Sequence, residues 1–204
     1  MSKNDWLADD RHMLAAGRIL DAASTLFAAE GNVDGVGTQE ISAAAGCSRT
    51  TFYRYFPTRE DLLIAYAHRE TRRVIDEVAQ RVASIADPRE RLIEAILCAL
   101  TIVRQNPALA AWYAKRAPIG GQIADGSDVV TSIIAAHLPL HPASAASDDV
   151  NARARWVVRS INSLLQFPET DSAERYIAQH FIAPVVLADL SPAPQSPANR
   201  AGAP

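Results

Sequence analysis

Two cysteines, Cys47 and Cys98, are all that this 204-residue sequence holds. Both sit in apolar helical patterns. A disulfide scaffold is therefore excluded, and a reducing cytoplasm is the compartment to expect. Glycine is scarce at 9 residues, and no glycine-rich loop of the phosphate-cradling kind is present. Positive charge is not in excess: 20 Lys and Arg stand against 23 Asp and Glu, for a net charge of -3 and a pI near 5.9. That balance excludes indiscriminate nucleic-acid binding over the whole surface, while leaving room for a local basic patch on an acidic body. No apolar stretch is long and uncharged enough to span a bilayer. The opening residues carry Asp5, Asp9 and Asp10 and no apolar run, so no signal peptide is expected. No segment keeps a strand period for long, which leaves an all-α chain. No grouping of nucleophile, base and orienting acid stands out, so neither an enzyme activity nor a cofactor is expected.

What is present is apolar mass, 49% of the chain, enough for a sizeable core, and one informative stretch at residues 37–63, GTQEISAAAGCSRTTFYRYFPTREDLL. A short helix is expected over 38–45, with Ile41, Ala44 and Ala45 on one face. Gly46 stops it and permits a left-handed backbone. Ser48 is a good N-cap for a second helix over 49–55. Phe52 and Phe56 should face inward there, leaving Arg49, Thr50, Thr51, Tyr53, Arg54 and Tyr55 outside. Pro57 closes that helix, and Thr58 with Asp61 caps the next. From Gly46 to Arg59 the only charges are Arg49, Arg54 and Arg59. Arg can donate two hydrogen bonds to a guanine edge, Thr can touch a base or a thymine methyl, and Tyr can bond to phosphate. Helix, glycine turn and basic second helix match a helix-turn-helix.

This stretch resembles the DNA-binding region of the TetR family of bacterial transcriptional repressors. The resemblance extends upstream to RILDAASTLFAAEG, residues 18–31, and downstream through FYRYFPTREDLL. It covers about the first third of the chain; the remainder agrees in length and helical rhythm. Gly37 departs from the pattern, standing where the family usually has Thr or Ser as N-cap. The resemblance implies that Arg49, Thr50 and Arg54 read bases, with Gln39 at the start of the first motif helix. It implies that Thr38, Thr51, Tyr53, Tyr55 and Arg59 hold phosphates. It also implies a second helical domain with a ligand cavity, for which Trp112, Tyr113, Trp156 and Phe167 are candidate lining residues, although packing is the simpler role for any one of them.

In chain order, residues 1–10 read as a loose polar arm and 11–30 as helix one, with Leu20, Ala23 and Phe27 inward. Residues 11–57 form the expected DNA-binding domain and 58–190 the ligand-binding and dimerisation domain. Helix four is expected over 59–86, its run of Arg69, Arg72, Arg73, Asp76, Glu77 and Arg81 being a solvated face. Asp87-Pro88 opens helix five, 89–105, apolar nearly all round and so central. Helix six should run from Asn106-Pro107 to about 117, helix seven over 127–138, helix eight over 148–167, and helix nine from Asp171 to about 190. Residues 191–204 are a Pro/Ala-rich tail read as disordered. His137 and His141, near Asp148 and Asp149, invite a metal reading, but Pro139 and Pro142 break the spacing and no metal site is expected.

The whole reads as a homodimeric, ligand-responsive repressor on double-stranded, palindromic operator DNA. Its effector is expected to be an apolar or amphipathic small molecule, and its dimer interface to include Leu164 and Phe181. A helical protein-contact module without DNA binding is the alternative, and an enzyme using the cavity a more distant one.

Overall fold

The computed structural model describes residues 5–113, 127–138 and 147–188, with backbone alone over 5–12 and at 147. Among the described residues there are helices and turns and no strand. The helices are α1 Asp5–Glu30, α2 Thr38–Ala44, α3 Arg49–Tyr55, α4 Arg59–Val82, α5 Pro88–Gln105, α6 Pro107–Ala110, α7 Asp128–His137, α8 Ser147–Gln166, α9 Asp171–Ile177 and α10 Ala183–Val186. A 3-10 turn, Ala111–Tyr113, follows α6, and a π turn, Ala178–Ile182, joins α9 to α10.

Capping chemistry sets most boundaries. The side chains of Ser48, Thr58, Asp87, Asn106, Ser127 and Thr170 each accept a backbone N–H at the start of the helix that follows, which satisfies donors left unpaired in a first turn. Gly37 has no side chain to offer. Its own N–H donates to the Glu40 carboxylate at 2.7 Å, half of a capping box.

The two parts of the chain share one core. Buried residues from Ile19 on α1 to Leu187 past α10 form a single cluster. α5 packs against α4, α6, α8 and the last helical segments, as its all-round apolar sequence requires. α6 and its 3-10 turn pack on α1. That contact places Trp112 flat against Tyr66 (centroids 5.1 Å, 12°) and edge-on to Phe27 (6.1 Å, 83°), with Phe27 edge-on to Tyr66 at 5.4 Å. Three helices of different origin are joined there by one aromatic cluster.

Several expectations need correcting. The first helix begins at Asp5 rather than at residue 11, so six residues of the expected arm are helical. Acidic residues suit a helix N-terminus, where the dipole is positive, and Asp5 opens this one. α4 ends at Val82, short of 86. The Ile85 N–H closes a turn on the Val82 carbonyl at 3.0 Å, and Asp87, before a proline, takes φ -68°, ψ 121°, outside the α region. The last helix is interrupted at Ala178–Ile182, because Pro184 has no N–H to continue the ladder and the backbone widens locally. The end of helix six, His141, the loop that follows it, residues 1–4 and the 191–204 tail lie outside the described residues. No single helix among the described residues is long and apolar enough to cross a membrane.

Candidate nucleic-acid interface

α2 and α3 meet at a turn closed by Gly46, whose φ of +68° is a backbone that residues with a Cβ rarely adopt. Ile41, Phe52 and Phe56 are buried beneath it, anchoring both helices. Ser48 Oγ accepts from the Thr51 N–H at 3.0 Å. The motif's open side is thereby fixed relative to the core.

On that side Gln39, Arg49, Thr50 and Arg54 are all exposed. Arg49 lies over the Tyr53 ring at 6.0 Å from its centroid, and Arg54 over the Tyr55 ring at 5.2 Å, so each guanidinium is guided by an aromatic neighbour. Tyr53 shares a hydrogen bond with the Thr38 hydroxyl at 3.2 Å, tying the start of α2 to α3. That bond, with Arg49 beside it, holds the Tyr53 phenol below its ordinary pKa.

The residues expected at phosphates divide. Thr38 and Tyr53 stand at the interface side. The Thr51 hydroxyl lies 3.0 Å from Ser48 Oγ and belongs to the cap. Tyr55 is half-buried and packs on the core. Arg59 is committed to its own chain: it donates to the carbonyls of Val33 (2.6 Å) and Val36 (3.4 Å) and lies 3.9 Å from Asp34. It clamps the 31–37 loop because that loop turns its carbonyls toward the start of α4, which local sequence does not disclose. Arg59→Ala should therefore lower unfolding free energy by roughly 1–2 kcal/mol, since bonds from a charged donor are lost from part-buried carbonyls. A urea titration reads this directly. The slope of log K for DNA against log salt should stay at the wild-type value, where loss of a phosphate contact would flatten it by about 0.9.

Behind the motif lies a cavity of about 420 Å³ walled by α4, α5, the 3-10 turn, α7 and α8. Its wall includes Tyr66, Glu70, Val78, Ile96, Trp112, Tyr113, Val157 and Ile161. Of the candidate lining residues, Trp112 and Tyr113 are brought to it. Trp156 and Phe167 are not: they stand 44% and 66% exposed on the outer side of the helical body. The Tyr113 hydroxyl donates to Asn162 at 3.1 Å, and burial pushes its pKa up to about 12. Burial likewise raises Tyr66 to about 12, against the hydrogen bond it shares with Ser24. Both phenols stay protonated and neutral in the physiological range.

Charged groups at the junction carry information that helical periodicity had hidden. Arg69, expected on a solvated face, donates to Asp21 on α1 at 2.8 Å and to Glu70 at 3.1 Å. Glu70 is 3% exposed and is also met by Arg73 at 3.1 Å. Tyr66 shares a hydrogen bond with Ser24 on α1 at 3.1 Å. His68 Nε2 lies 2.8 Å from the Ser127 hydroxyl that caps α7; burial, and Arg72 nearby, depress its pKa. Only the acidic residue at position 70 within an otherwise amphipathic helix hinted at a buried ion pair. His137, the last residue of α7, donates from Nδ1 to the Ile133 carbonyl at 2.8 Å.

A glycine-turned helix pair presenting arginines on a fixed scaffold defines a helix-turn-helix DNA-binding protein. A family model described as bacterial regulatory proteins, tetR family, matches residues 19–66. Two relatives, each an uncharacterized HTH-type transcriptional regulator from a strain of Mycobacterium tuberculosis, are 48% identical over 191 residues, 91% of this chain and 92% of theirs. Among solved structures, RolR in complex with resorcinol superposes at TM-score 0.66 with 20% identity over 89% of each chain. The TetR family repressor AlkX from Dietzia superposes at TM-score 0.63 with 20% identity, over 84% of this chain and 94% of that one. The chain belongs to the TetR family of bacterial regulatory proteins. It is a DNA-binding transcriptional regulator, from a family of regulators and not of enzymes, and the reading as a contact module without DNA binding is set aside.

Proposed function

We propose that the chain is a repressor that binds a palindromic operator as a two-fold homodimer and is released by a small molecule held in the cavity. The observation that carries this is the double duty of Tyr66. It lines the cavity and is hydrogen-bonded to Ser24 on α1, so an occupant of the cavity touches the joint that holds the DNA-binding helices. Glu70 repeats the arrangement one turn along, through Arg69 to Asp21. The fold neighbours agree in kind: one was solved with resorcinol bound and the other is a repressor.

Gln39, Arg49, Thr50 and Arg54 are the proposed base readers, Thr38 and Tyr53 the proposed phosphate contacts. Arg49→Ala should cost about 1–3 kcal/mol at its preferred base, the worth of a good bidentate contact. Binding-site selection with wild type and variant tests it; identical base preference at every position would remove Arg49 from the reading.

The dimer surface needs revision. Leu164 is 6% exposed and lies in the protomer's own core, so a charge there would unfold the chain before it could separate subunits. Phe181, the other residue expected there, is exposed, and so are Trp156 on α8, Phe167 just past its end, and Tyr176 and Val185 on the last helical segments, an apolar collection of the kind that marks an interface. A two-fold axis through it would set two copies of α3 to read half-sites about 34–36 Å apart or a multiple of that. A ligand releases the operator only by preferring another spacing. Coupling of about 1–3 kcal/mol would change operator affinity roughly 5- to 150-fold, and by reciprocity ligand affinity by the same factor. Calorimetry of a bound apolar ligand with and without operator is the test, and equal affinities in the two titrations would exclude induction.

A further inference from the structure

We propose that the cavity takes a monocarboxylate with an apolar body, its carboxylate held by Arg91; this rests on the cavity being the effector site argued above. The wall is apolar apart from a few polar side chains; several of these are already committed, and the buried Trp112 Nε1, which has no partner among the described residues, is neutral and cannot answer a charge. Glu70 is held by Arg69 and Arg73. The Tyr113 hydroxyl is bonded to Asn162, and His137 spends Nδ1 on a backbone carbonyl. Arg91 is different. It is half-buried on the cavity wall, and among the described residues its guanidinium has one hydrogen bond, to the Ile85 carbonyl at 3.5 Å, long for an N–H···O contact. It forms no ion pair among the described residues. By contrast Arg69, Arg73, Arg81 and Arg104 on α4 and α5 each have a carboxylate.

A guanidinium partly withdrawn from water beside apolar surface gains most from a desolvated anion, and its planar fork matches a carboxylate in two parallel bonds. The rest of the wall says what the carboxylate must be attached to. Ala95, Ala99 and Val103 follow Arg91 at four-residue spacing on the cavity face of α5, so the charge stands at one end of an apolar stripe about 18 Å long by the helical rise. An extended aliphatic or aryl-alkyl acid places its head at Arg91 and its tail toward Trp112. A neutral alcohol would leave the guanidinium unanswered, and an amine would oppose it.

Isothermal titration of the full chain with decanoate, 1-decanol and decylamine tests the assignment. Decanoate should bind roughly tenfold or more tighter than decanol, the scale of a charge-assisted hydrogen bond, and decylamine should bind most weakly. Arg91→Met should bring decanoate down to the level of decanol, while Arg91→Lys should keep part of the preference. Decanol binding as tightly as decanoate to wild type would overturn the assignment and leave the cavity as a site for neutral ligands. The same follows if R91M, folded by thermal melt, keeps the full preference. If neither compound binds and operator affinity is indifferent to both, this assignment and the effector reading of the cavity fail together.

Discussion

Phe27→Ala should lower the unfolding free energy by about 3–5 kcal/mol, the range for emptying an aromatic site in a core that relaxes only in part. Phe27 is fully buried and meets Tyr66 and Trp112 edge-on. Its loss removes buried area and two aromatic contacts, each worth about 0.5–1.5 kcal/mol beyond area alone. The position is also the seam between the DNA-binding helices and the rest of the helical body, so a cavity there should loosen the Tyr66–Trp112 stack. Phe27→Leu keeps most of the volume and should cost distinctly less. Urea unfolding with an unchanged m value would read both as stability changes. A loss below about 1 kcal/mol for the alanine variant would mean that α1 is held elsewhere.

The second large effect is expected at Glu174→Gln. Glu174 is 2% exposed and accepts two bonds from Arg104, at 2.6 and 2.9 Å, and one from the Glu169 N–H at 3.2 Å. Arg104 also donates to the Leu164 carbonyl at 3.0 Å, so this pair fastens α5, α8 and α9 together. Removing one partner of a buried pair leaves the other charge poorly answered; about 3 kcal/mol is expected, the low end of the range because Arg104 keeps some contact with water. The Arg104 hydrogen bonds hold the Glu174 carboxyl below its ordinary pKa. A carboxylate with a depressed folded pKa stabilises above its unfolded value, near 4.3, and that contribution is lost as pH falls through the folded value. The wild-type advantage over the glutamine variant should thus be full at neutral pH and shrink only below about pH 4. An advantage unchanged at pH 2 would show that it comes from shape and not from charge.

The parts of the fold that local chemistry governs were legible in the sequence. Gly46, Ser48 and the Thr58–Asp61 pair mark the helix-turn-helix because a left-handed turn and a cap each need particular residues at particular offsets. Asp87-Pro88 and Asn106-Pro107 opened α5 and α6 for the same reason. What escaped was long-range. Asp21 and Arg69 are 48 positions apart, and Arg104 and Glu174 are 70 apart; periodicity places each on a helix face but not against its partner. The exposure of Trp156 and Phe167 failed likewise, since an aromatic residue on an amphipathic helix has no label for which neighbour covers it. Leu164 looked available to a partner subunit because its helix seemed over-supplied with apolar residues. In the structure α5 and the last helical segments use that supply within the protomer.

Alanine recurs along the cavity wall, at positions 67, 95 and 99 inside and at 79 and 83 on its exposed rim. A larger side chain there would extend into empty space, where most core positions would meet overpacking. Single substitutions can therefore shorten, narrow or re-floor the chamber without disturbing Phe27, Tyr66 or the helices that carry Arg49. On the effector reading proposed above, such substitutions would change the ligand one mutation at a time and leave the DNA-reading surface as it is.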